Sequence, residues 1–190
     1  TLGYCQNGPG LPRAPITRGV QLFTAHTLRS SELEIGLLLA QGYQDIYVEA
    51  GISNDVQLGL SLLTTMGGRP YGWVKMVNEI DDELHMGTSL SLLYWPGRNW
   101  PYRPPYLYAT PGFCFSFLVD EDLSVHAGLQ VRMRVNLDAP RIDYAHFSPY
   151  MIVDAEIADG FVLVGEAAYN PTYVRVGLLM RVWDMLDLSL

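Results

Sequence analysis

From Gly19 onward the hydropathy of this chain alternates with a period of two residues, and that period limits its fold more than any other feature. Successive side chains of a β-strand point to opposite faces, so a period of two gathers apolar groups on one face and polar groups on the other. Leu33, Ile35, Leu37 and Leu39 form one row, and Glu32, Glu34, Gly36, Leu38 and Ala40 the other. Ile46, Val48, Ala50 and Ile52 stand against Tyr47, Glu49 and Gly51. After a turn at Ser53-Asn54-Asp55, Val56, Leu58, Leu60 and Leu62 stand against Gln57, Gly59 and Ser61. Runs joined this tightly form a meander of antiparallel strands.

The pattern resumes beyond Gly67-Gly68-Arg69-Pro70 with Leu84 to Leu92, then Phe113 to Val119 and a long run from Leu123 to Val135. It continues through Met151 to Ile157, Phe161 to Tyr169 and Val174 to Val182, with a last piece from Met185 to Leu190. Asp120-Glu121-Asp122 and Asp159-Gly160 read as turns, and Asn170-Pro171 ends a strand. Gly8-Pro9-Gly10, Pro12 and Pro15 make residues 1–18 an extended leader. The expectation is an all-β chain, with a leader over 1–18 and one antiparallel up-and-down barrel over 19–190. The count is about ten strands, or eight if two weak segments are not strands.

Alternation has two physical sources. In a soluble sandwich the apolar row faces a core and the polar row faces water. In a membrane barrel the apolar row faces lipid and the polar row faces the interior. Here the apolar row is aliphatic or Phe almost throughout. The polar row holds Glu32, Glu34, Glu49, Glu156, Glu166, Arg132, Arg134, Arg175 and Arg181, together with mid-strand glycines such as Gly36, Gly51, Gly59, Gly87, Gly128 and Gly177. Glycine weakens a strand and makes sense where space is short, beside long side chains in a narrow interior. Of the 12 basic residues only Lys75 is a lysine, and arginine is the residue of confined pairing. The nine charged residues are therefore expected to form a lumen network of Glu–Arg pairs that closes the barrel.

Composition removes other classes. An apolar content of 49% with 17% charged residues is not that of a disordered chain. Twelve basic against 20 acidic residues give −8, the wrong sign for a nucleic-acid partner. No apolar run approaches the roughly 18 residues of a membrane helix. No cleavable export signal is expected in these residues, any such signal having been removed already. Tyr4 before Cys5 departs from a lipobox, which leaves a Cys5–Cys114 disulfide or two free thiols as the expected states.

These features resemble those of small bacterial outer-membrane β-barrels, over roughly residues 19–190 and most closely over Glu32–Leu63. The resemblance is architectural and singles out no family. It implies a bacterial outer-membrane location, the lipid bilayer and lipopolysaccharide as surroundings, and a structural or accessory role in the cell envelope beside a protein partner or larger assembly. Aromatic girdles belong to that class, and Tyr43, Tyr94, Trp95, Tyr106, Tyr108, Tyr150, Tyr169, Tyr173 and Trp183 lie near expected strand ends. Such barrels commonly end in an aromatic residue, whereas this chain ends in Leu190.

Chemistry is sparse. His26, His85, His126 and His146 fall into no metal-ligand spacing, although His85 and His126 share the inner row. The acids of 81–83 and 120–122 are turn residues that could attract Ca²⁺. No metal, cofactor or enzymatic activity is expected. The one nucleophile arrangement is His146 and Ser148 with Glu156, whose His and Ser two residues apart resemble those of outer-membrane lipid A deacylases. An acyl hydrolase of that kind is one alternative, and a narrow porin-like channel is another. An interior of eight to ten strands is nearly filled by side chains, which disfavours free diffusion. The Pro- and aromatic-rich stretch 94–111, with Trp95, Trp100, Tyr102, Tyr106 and Tyr108, reads as a long loop that contacts a partner.

Overall fold

A computed structural model describes residues 24–25, 28–40, 43–81, 83–99, 102–120, 122–158, 161–169 and 172–184. Along the chain run β1 (Leu33–Ala40), β2 (Tyr43–Ser53), β3 (Val56–Ser61), α1 (Leu62–Met66), β4 (Tyr71–Glu79) and β5 (Leu84–Trp95). Then follow β6 (Arg98–Asn99), β7 (Tyr102–Arg103), β8 (Tyr106–Asp120), β9 (Leu123–Asn136), β10 (Arg141–Ala158), β11 (Phe161–Ala168) and β12 (Tyr173–Asp184). Ten of these strands close into one antiparallel barrel in the order β1-β12-β11-β10-β9-β8-β5-β4-β3-β2. Closure is the β1–β12 pairing, in which Leu37 faces Met180 and Leu39 faces Leu178. A closed barrel leaves no strand edge without hydrogen-bonding partners.

The alternation seen in the sequence is realised with the polar row inside. Glu34, Asp45, Glu49, Gln57, Lys75, Ser116, His126, Asp154 and Glu166 are buried. The apolar row lies on the outer surface, with Leu129 42%, Val176 58% and Phe147 64% exposed. Outward positions of the ten strands, such as Ile46, Val48 and Ile52 on β2 or Phe113, Phe115 and Phe117 on β8, carry no charged residue.

Several boundaries differ from the expectation. Among the described residues the first strand is Leu33–Ala40, and the described residues of 24–32 are not strand, while 19–23 lie outside them. Leu62 belongs to α1, whose N-cap Ser61 accepts a hydrogen bond from the Thr64 N–H at 3.3 Å. β4 is a strand whose hydropathy does not alternate, because Tyr71, Trp73 and Val77 line the interior while Val74 and Met76 line the outside. β10 begins ten residues before Met151. The proposed terminal strand 185–190 and the leader 1–18 lie outside the described residues, as do Cys5 and His26. Cys114 is a free, buried thiol.

The two ends of the barrel differ. Short connections β2–β3, β4–β5, β8–β9 and β10–β11 gather at one end, the turn end. Helix α1, the β6–β7 hairpin and the β9–β10 connection gather at the other, the loop end.

Candidate functional site

The site is the lumen, and three layers fill it. At the turn end, Ser116 on β8 faces His126 on β9, and Asp154 on β10 lies one position along. The His126 imidazole sits 2.5 Å from Asp154 Oδ2 through Nε2 and 2.6 Å from Ser116 Oγ through Nδ1. The Ala25 N–H donates to the same Ser116 oxygen at 2.7 Å. A consistent tautomer places the proton on Nε2 toward the carboxylate, so that Nδ1 accepts the serine hydroxyl. The chemical order is that of a nucleophile relay, but it is sealed: all three side chains are fully buried and the chain's own backbone occupies the hydroxyl. A few residues on, the Leu28 N–H donates to Gln57 Oε1 on β3 at 2.9 Å. Ala25 and Leu28 thus contact the inner wall at β8 and at β3. Arg29–Glu32 then turns the chain into β1, with Ser31 at a positive φ of 67° and Glu32 Oε2 accepting from the Arg29 N–H.

The middle layer is built from three aromatic rings, each lying over a glycine directly opposite on the neighbouring strand. Tyr47 covers Gly36, Trp73 covers Gly59 and Tyr150 covers Gly128. A methyl group on any of these glycines would stand 2.1 to 2.4 Å from the ring above it. The rings carry donors inward: Tyr47 hydroxyl to Glu34 Oε1 at 2.7 Å, and Trp73 Nε1–H to Glu49 Oε1 at 2.8 Å. Lys75 is 1% exposed in the same layer. A buried charge persists only when neighbours compensate it, which the Tyr47 and Trp73 donors do for Glu34 and Glu49.

The loop-end layer is cationic and aromatic. Arg132 and Arg134 on β9 and Arg175 on β12 project inward among Tyr106, Tyr108, Tyr144 and Tyr173. Arg134 lies over Tyr106 and Tyr144, with 4.7 and 4.9 Å to the ring centroids. Arg132 and Arg175 share Tyr173, at 5.9 and 4.4 Å. Arg134 also pairs with Asp143 at 3.5 Å.

The expected network is thereby partly redrawn. Glu34, Glu49, Glu166, Arg132, Arg134 and Arg175 are interior, and Glu166 faces Arg175 across the β11–β12 ladder. Glu156 is half-buried near the turn end. Glu32 precedes β1, half-buried, and its carboxylate accepts from the Arg29 N–H in the turn into that strand. Arg181 lies on β12 opposite Gly36. Tyrosine, indole and imidazole partners line the interior alongside the charged pairs. Tyr150 is interior and Tyr106, Tyr108 and Tyr173 face the lumen, so these four are not girdle residues; Tyr94 and Tyr169 are exposed at the loop end.

His146, Ser148 and Glu156 all lie on the inner face of β10, not on the outer wall. Ser148 Oγ donates to the Tyr169 carbonyl at 2.8 Å, and His146 stacks on Tyr144. Eight residues of strand at about 3.3 Å each set Glu156 roughly 26 Å from Ser148. These three form no relay. The relay that does form, Ser116–His126–Asp154, depends on cross-strand register that the sequence does not reveal.

The stretch 94–111 is mostly strand. Trp95 ends β5 under the Arg69 guanidinium, 3.6 Å from its ring centroid, while Tyr106 and Tyr108 belong to β8 and face inward. Between them the β6–β7 hairpin exposes Tyr102, which donates to Asp138 in the β9–β10 connection. That bond, the largest cause, holds the Tyr102 phenol above its ordinary value of 10.0. Trp100 lies outside the described residues. Among the described residues no group of three or more His, Cys, Asp or Glu could hold a metal, and Asp81 Oδ1 instead caps the backbone N–H groups of Glu83 and Leu84.

No protein-family model and no curated protein matches this chain.

Proposed function

We propose that this chain is an integral β-barrel of the bacterial outer membrane, with a structural or accessory role in the cell envelope. The observation that supports this most is the inversion of burial: Leu129, Val176, Phe147 and their neighbours face outward in uncharged rows, while Glu49, Lys75 and Asp154 are sealed inside. In water so much exposed apolar surface would drive association, whereas hydrocarbon accepts it without cost. Seven of the ten barrel strands have 9 to 18 residues, long enough for their part of the wall, since about 9–11 tilted residues cross a bilayer; β1 and β11 have 8 and β3 has 6.

A structural role is supported by the filled middle layer. Tyr47, Trp73, Tyr150 and Lys75 occupy the space a pore would need. The surroundings are then the bilayer with its lipopolysaccharide, and the exposed hairpin around Tyr102 is the surface for a protein partner. Flotation with liposomes tests the reading: the full chain should rise with the lipid and resist alkaline extraction. Recovery in the soluble fraction without detergent overturns it. In planar bilayers the inserted protein should carry no stepwise current.

A further inference from the structure

We propose that the loop end of the lumen is a binding site for a phosphate group carried by a small molecule, with Arg132 at its centre. The inference goes beyond the membrane reading and holds without it, because the residues involved line the interior in either medium. The site is a cavity of about 270 Å³, whose walls include Tyr71, Tyr108, Thr110, Gln130, Arg132 and Tyr144. This size suits a monosaccharide-scale ligand, just below the usual range of roughly 300–1,000 Å³ for drug-sized molecules.

Three features point to an anion. First, positive charge is in excess. Two carboxylates face Arg132, Arg134 and Arg175: Glu166, opposite Arg175 on the β11–β12 ladder, and Asp143, which pairs with Arg134 at 3.5 Å and is shared with Arg141 at 3.1 Å. Secondly, Arg132 is fixed without being neutralised. With its carboxamide oxygen turned toward the guanidinium, Gln130 accepts from Nη2 at 2.8 Å and Nε at 3.0 Å. Thirdly, next to the lining residues Arg132 and Tyr144, though not themselves part of the cavity wall, lie buried polar atoms that make no hydrogen bond among the described residues: the donors Arg134 Nε, Arg175 Nη1 and His146 Nε2, and one acid oxygen, Glu166 Oε1. His146 is the cross-strand neighbour of Arg132 and stacks on Tyr144; Arg134 stacks on the other side of the same region, and Arg175 meets Arg132 at Tyr173. Leaving such donors dry is costly. Phosphate has enough acceptor oxygens to satisfy several of them at once, and guanidinium groups match its geometry in pairs of parallel hydrogen bonds. The tyrosine walls offer flat faces and hydroxyls to a sugar ring.

Calorimetric titration of the full chain in detergent micelles tests this, with glucose 6-phosphate as probe and glucose as its neutral counterpart. Saturable binding of the phosphate ester alone is expected. Arg132→Gln should weaken it at least tenfold, whereas Arg141→Gln, at the exposed rim, should change it less than twofold. Should Arg132→Gln fail to fold, Arg132→Lys and Arg175→Gln give the same reading, each weakening binding while the circular dichroism of the barrel is retained. Vesicles bearing phosphorylated lipopolysaccharide form a second arm. Competition by them assigns the phosphate to a lipid headgroup, and its absence assigns a soluble ligand; both outcomes support the site. Equal binding of glucose, no saturation at millimolar glucose 6-phosphate, or full affinity in Arg132→Gln would overturn it.

Discussion

Trp73 covers Gly59 and passes its N–H to Glu49, so one residue fills space and satisfies a buried acid. Strand glycine is ordinarily a loss; across from a ring it becomes the seat that lets the ring lie down. Gly59→Ala should therefore cost about 1–3 kcal/mol by overpacking, read from urea unfolding in detergent by tryptophan fluorescence. Gly165→Ala, where an added methyl meets only a carbonyl at 3.8 Å, should change stability by less than about 0.5 kcal/mol. Equal effects at the two positions would remove the spatial account of the inner glycines. His126 joins Ser116 and Asp154, all buried. His126→Ala takes away a partner from a buried carboxylate, and roughly 3 kcal/mol should be lost in the same assay. A loss below about 1 kcal/mol would show that the segment around Ala25 is held by other contacts.

At the scale of the element, the β6–β7 hairpin is tied to the β9–β10 connection by the Tyr102–Asp138 hydrogen bond. The phenol titrates above its ordinary value of 10.0, so the neutral, donating form is favoured when the hairpin is docked. The contact is thus fully present below about pH 10 and is lost as pH rises through the raised value. Limited proteolysis within 98–103 should be constant from neutral pH to that point and accelerate beyond it, and Tyr102→Phe should be fast throughout. Constant cleavage across the whole range would dissociate the hairpin from this bond. Elements also show what the sequence could and could not convey. The rows of β1, β2, β9 and β12 were legible because their inner faces carry acids, arginines and glycines. β4 was not, since Trp73 and Tyr71 make its inner face as apolar as its outer one. The first half of β10 was hidden likewise, Tyr144 and Tyr150 alternating with Phe147 and Pro149. The lumen charges could be named from alternation, but their partners could not, because a pairing such as Ser116 with His126 is a matter of register between strands and leaves no mark on either strand alone.

At the scale of the whole molecule, the barrel is a protein with its polarity reversed: buried donors, acceptors and charges within, apolar side chains on the outer surface. On the proposed membrane reading, a charge placed on the wall should be felt as a charge in lipid. Leu129→Arg is expected to cost about 2–4 kcal/mol of folding stability in lipid vesicles. The most direct test of the reversed polarity is a nitroxide scan along β9, residues 123–135, in the full chain reconstituted into liposomes. Labels at Val125, Ala127, Leu129 and Val131 should relax with lipid-dissolved oxygen, and labels at Ser124, Gly128 and Gln130 should not, giving an accessibility wave of period two. If the labels at Leu129 and Val131 were instead reached by a water-soluble relaxation agent, the wall would face water and the account would be wrong.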